Sequence, residues 1–122
     1  ASGTDIVPNS HKEKYKEYIT NVNWRHKTNQ AHKDIIELHK WLDDKSITHV
    51  FFNGNNTFSQ IQNKFDFGTS YIEPYNKKFS YNDYLIDNGI STVSHNSYHF
   101  GEDGHTKWTN YMLKYIGKNK LI

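Results

Sequence analysis

The chain has 122 residues, a formal charge of +2 and no cysteine, so disulfides and thiolate metal sites are excluded. Its 15 Lys and Arg are interspersed with 13 Asp and Glu, which argues against a basic nucleic-acid-binding face, and no apolar run approaches the roughly 18 residues of a membrane span. Only 34% of residues are hydrophobic but 16% are aromatic, which sets the chain apart from disordered sequences and predicts a thin core built from rings, in one domain or a portion of one.

Residues 1–9 read as loop, interrupted by Gly3, Pro8 and Asn9, and carry neither the basic nor the apolar part of a signal peptide. Ser10 followed by Glu13 predicts a capping box, and Tyr15, Tyr18, Ile19 and Val22 recur behind it at helical spacing. Ala31, Ile35, Leu38 and Leu42 share a face further on, so residues 10–43 form one kinked helix or two shorter ones. Residues 47–52 (Ile-Thr-His-Val-Phe-Phe) are the most strand-like segment, ending abruptly at Asn53-Gly54-Asn55-Asn56. Residues 57–89 predict short helices around an aromatic loop. Asn56 or Thr57 would cap a helix carrying Phe58, Ile61 and Phe65, and a later one would start at Ser80 and stop at Gly89. Residues 90–94 predict a brief strand. Residues 97–116 comprise a His-containing loop and a last helix, from about 104 to 116, with Trp108, Met112 and Tyr115 inward. A helix preceding a strand argues for α/β layering, and the Asn-rich loop then lies where open α/β sheets place ligands.

Acid, base and glycine residues are densest in this last region. Glu102 or Asp103 can cap the final helix, which puts His105 in its first turn with a carboxylate three or two residues before it. A carboxylate so placed can orient an imidazole as a general base. His95, His99 and His105 offer an alternative reading as ligands of a divalent metal, although Ser94-His95-Asn96-Ser97 is poorly helical. No other metal and no cofactor is implied. His26, His32, His39 and His49 read as structural, without a paired acid at suggestive spacing. The aromatic set Phe65, Phe67, Tyr71, Tyr75, Phe79, Tyr81 and Tyr84 is expected to divide between core and a ligand or protein interface.

The segment Glu102-Asp103-Gly104-His105, with an amphipathic helix after it, resembles the last block of SGNH (GDSL-type) hydrolases. In that family an Asp-x-x-His motif supplies the acid and base of a Ser-His-Asp triad. The strand ending at Asn53 resembles a late strand of the same sheet, and the chain as a whole is similar in style to members encoded by marine phages. The resemblance implies an α/β, flavodoxin-like (SGNH-type) three-layer fold, helix-rich with few strands and present as its C-terminal portion. It implies ester hydrolysis, such as carbohydrate deacetylation, with a small ester or carbohydrate as substrate. His105 would be the base, Glu102 or Asp103 its orienting acid, and Asn53, Asn56 and His99 would lie near the substrate. Glu102 stands where the family has Asp, and no Gly-Asp-Ser block occurs, so the nucleophile would come from a missing N-terminal half or another chain. The alternative is a non-enzymatic binding or assembly protein, a viral structural component for example, that uses the Tyr/Phe-rich 65–84 region. Cytoplasmic and virion-associated locations both remain open, with no membrane partner expected.

Overall fold

Four α-helices and a two-stranded ribbon make up the computed structural model, which describes residues 8–97 and 99–122. Helix α1 (Lys12–Asn21) follows a 3-10 turn and buries none of its residues. The expected capping box does not form, because Ser10 lies inside that turn and His11 occupies the cap position without a side-chain bond. Two helices, not one kinked helix, fill residues 10–43. Val22 is extended, and Asn23 restarts the chain as N-cap of α2 (Trp24–Asp44), its side-chain oxygen accepting the His26 N–H at 3.0 Å.

The strand expected over 47–52 contracts to β1 (Phe51–Phe52), because only those two residues meet a partner. That partner is β2 (Tyr71–Ile72), parallel, with Phe51 opposite Tyr71 and Phe52 opposite Ile72. The crossover between them contains no helix at 57–65, contrary to expectation. Its amide hydrogens are taken elsewhere: Phe58 N–H donates to the Pro74 carbonyl (2.9 Å) and Phe65 N–H to the Tyr75 hydroxyl (2.7 Å). Partners distant in the sequence therefore replace the i to i−4 ladder that a helix would need.

Helix α3 (Tyr81–Asp87) matches its sequence signals. Ser80 Oγ accepts the Asp83 N–H at 3.0 Å, and Gly89 turns the chain away at φ +79°, a left-handed conformation that suits glycine. The strand expected over 90–94 is reduced to one antiparallel bridge, Thr92 to Phe100. Helix α4 (Glu102–Lys118) begins earlier and ends later than expected, with Gly101 as its cap residue in place of Glu102 or Asp103. Gly104 explains the close seating of its first turn. A Cβ there would stand 2.7 Å from Phe100 Cβ and 3.3 Å from Leu85 Cδ1, so only glycine fits against these side chains.

Alternation along β1 sends its two rings to different partners. Phe51 meets Tyr71 (5.6 Å) and His49 (5.2 Å), on the side of α2, whereas Phe52 meets Trp108 of α4 (4.8 Å). One half-core groups Phe58, Phe65, Phe67, Tyr71 and Tyr75 with His32 and His39, the two buried residues of α2. The other groups Leu85, Phe100 and Trp108 with partly buried rings of α3 and α4. The fold is thus mixed α/β and helix-rich, with a sheet of two parallel strands. No described helix is long and apolar enough to cross a membrane.

Candidate functional site

His105 is the fourth residue of α4, exposed, with its backbone N–H on the Gly101 carbonyl (3.1 Å). Its ring Nδ1 lies 3.3 Å from the Tyr81 hydroxyl. Neither a hydrogen bond nor an ion pair joins the ring to Glu102 or Asp103. Helical geometry separates these two acids. Asp103, two residues before the histidine, faces away, and its Oδ1 accepts the Gly104 N–H (2.9 Å). Glu102, three residues before, shares the His105 face and lines the same shallow depression with Thr106 and Thr109.

The remaining expected site residues are dispersed. Asn53 is buried and bonded on three sides: its Oδ1 accepts the Tyr71 hydroxyl, its Nδ2 donates to the Pro74 carbonyl (3.2 Å) and its carbonyl accepts the Tyr81 N–H (2.8 Å). It clasps the end of β1 to β2 and to the start of α3, a structural position buried away from any open surface. Asn56 is exposed, and His95 and His99 lie exposed on the turn before Phe100. His95, His99 and His105 do not converge as metal ligands. Among the described residues, the side chains whose ligand atoms do converge are His39, Asp43 and His49. Sequence reasoning set these histidines aside, yet Asp43 stands four residues beyond His39, the spacing that aligns two side chains on a helix. That spacing was the available signal.

A larger concavity, of about 560 Å³, runs between the 65–75 segment and the C-terminal half of α4. Tyr71, Tyr75, Tyr111 and Tyr115 line it, with the charged side chains of Glu73 and Lys118 beside them. Tyr115 donates its hydroxyl hydrogen to the Thr69 carbonyl at 2.6 Å, which fixes one wall to the other. Burial pushes the Tyr71 phenol up to about 12, with Tyr75 nearby adding to the effect. Burial also raises Tyr75, Tyr111 and Tyr115, and the Glu73 carboxylate contributes at Tyr111. All four phenols are therefore neutral at pH 7, each a flat ring with a polar tip. Tyr111 and Tyr115 come from α4, outside the aromatic set that the sequence singled out. Phe79, Tyr81 and Tyr84 of that set instead pack against Trp108 in the second half-core.

Comparison with protein-family models, curated proteins and solved structures found no match to this chain.

Proposed function

We propose that this chain is a non-enzymatic binding module whose tyrosine-lined groove takes a polyhydroxylated, saccharide-type ligand. The observation that carries this reading is the convergence of three partly exposed phenol rings (Tyr75, Tyr111 and Tyr115), backed by buried Tyr71, with the carboxylates of Asp66 and Glu73 and the Lys118 ammonium in one concave surface. Sugar C–H faces stack on tyrosine rings, and sugar hydroxyls need donors and acceptors at the rim, which Glu73 and Lys118 supply. The groove joins the 65–84 region to α4, so the ligand would rest on both. Binding to a panel of immobilised oligosaccharides tests the reading. A positive sugar is expected to lose at least tenfold in affinity with Tyr115→Ala and less with Lys118→Ala. Silence across the panel, or binding indifferent to Tyr115→Ala, would remove it.

The hydrolase reading stands second, on one observation: exposed His105 and Glu102 share a helical face and a depression, with Tyr81 against the ring. In it the chain is the C-terminal portion of an SGNH-type, flavodoxin-like domain, and a separate or preceding segment brings the serine. An acetyl-ester assay on the longest encoded product decides this. Turnover that disappears with His105→Ala supports it, and turnover that survives the substitution sinks it.

A further inference from the structure

The last turn of α2 and the segment that follows it bring together three potential ligands. His39 and Asp43 lie one helical turn apart, with His39 Nε2 3.4 Å from Asp43 Oδ2. The chain then reverses: Ser46 takes a left-handed φ of +57°, and the Ile47 N–H closes on the Leu42 carbonyl at 2.9 Å. That reversal carries His49 back to α2, where its Nε2 lies 2.7 Å from His39 Nδ1. His39 is 6% exposed, its ring wedged edge-on against Phe65 (5.7 Å) and Phe67 (5.2 Å). His49 is half-buried, and Asp43 opens to solvent.

Counting hydrogens shows what this arrangement lacks. The Ile47 carbonyl can only accept, so His49 Nδ1, 2.8 Å away, carries the hydrogen and its Nε2 presents a lone pair. A ring held by a backbone carbonyl in this way has the outer-shell support typical of metal-binding histidines. His39 then faces two acceptors, His49 Nε2 and the Asp43 carboxylate, while a neutral imidazole has one N–H to offer. A cation that takes the facing lone pairs of His39 Nδ1 and His49 Nε2 would resolve the shortage.

We propose that His39, Asp43 and His49 bind one first-row divalent cation, with Zn²⁺ as its representative. Two imidazoles and a carboxylate without sulfur form the donor set of three-ligand Zn²⁺ sites, which leave a fourth position open. The exposed side of Asp43 provides that opening. With Zn–N bonds of about 2.0–2.1 Å, two nitrogens of a tetrahedral set stand about 3.3 Å apart. The pair now at 2.7 Å must therefore part by a fraction of an ångström, within reach of a small rotation of the half-buried His49 ring. The bound ion would tie the end of α2 to the segment entering β1.

Zn²⁺ titration of the intact chain by calorimetry tests the site. One ion per chain is expected, with affinity falling at least tenfold in His49→Gln and in Asp43→Asn. His95→Gln and His99→Gln, which alter two exposed imidazoles elsewhere in the chain, are expected to leave it unchanged. His39 is buried and its removal can unfold the chain, so the two outer variants carry the test, with circular dichroism as the folding control. Co²⁺ gives an independent readout: the visible absorption of a four-coordinate complex should appear with the parent chain and vanish with His49→Gln. Absence of a stoichiometric Zn²⁺ site, or equal affinity in folded His49→Gln and Asp43→Asn, would overturn the proposal.

Discussion

Toward α3 and α4, Phe52 of the β1–β2 ribbon meets Tyr81 and Trp108, at the edge of the cluster of Leu85, Phe100 and Trp108; toward α2, the buried residues that the helix supplies are His32 and His39. The first side packs by apolar area, with Trp108 and Tyr111 stacked at 5.1 Å and Leu85 wholly enclosed. The second packs rings of similar size that also carry nitrogen atoms, and each nitrogen needs a partner. Tyr75 answers His32 at 2.7 Å, and His49 answers His39 at the same distance. In a chain with so few aliphatic residues, imidazole serves as a core ring, and the side built from it becomes sensitive to protons in a way the other side is not.

The comparison is broken most severely at Trp108. Trp108→Ala is expected to cost about 3–5 kcal/mol, read as a collapse of the urea midpoint, because the ring touches both α3 and Phe52. Tyr71→Phe comes next, at about 1–3 kcal/mol, since it leaves the buried Asn53 Oδ1 without its donor. The same variant sharpens the alkaline limb. Native Tyr71 holds its proton to about 12 against an ordinary 10.0. Its stabilisation is therefore present below pH 10.0 and lost as pH climbs through about 12, and Tyr71→Phe should flatten that loss.

Acid acts on the α2 side. Burial lowers His32 below its ordinary 6.5, so its contribution is intact above that pH and is lost as pH falls through the lowered native value. A pH series of urea midpoints should show a shallower acid slope for His32→Leu than for the parent. The smallest effect belongs to His105→Ala. The ring is exposed, and stability should stay within about 0.5 kcal/mol of the parent, so any functional loss there would be chemical and not structural.

What the sequence made legible was local chemistry. Ser80 and Gly89 marked the ends of α3 because each acts on backbone atoms within a few residues of itself. The Phe-Phe pair announced β1, but the length of that strand depended on where residues 71–72 would lie, and no nearby residue reports that. The helix expected at 57–65 failed for the same reason: the Pro74 carbonyl and the Tyr75 hydroxyl, distant in sequence, claim its amides. Site residues divide likewise. The sequence reading left Glu102 and Asp103 open as partners of His105 and passed over the pair His39 and Asp43, although helical spacing of three and four residues carries both alignments. The return of His49 required the turn at Ser46, where a residue other than glycine takes a left-handed conformation that composition does not advertise. The tyrosine groove needed the docking of α4 against the 65–75 segment, an arrangement legible only in three dimensions.

The parallel pairing of β1 with β2 also orders events during synthesis. The α2-side half-core draws on residues 24–75, a contiguous stretch that emerges from the ribosome before α4 does. Phe52 lies within that stretch but turns to Trp108, and it is still 41% exposed in the finished fold. Until α4 emerges and docks, the chain therefore presents an uncovered aromatic surface, the kind that chaperones hold and that neighbouring chains adhere to. Docking of α4, seated on Phe100 through Gly104, is the event that closes this interval of vulnerability.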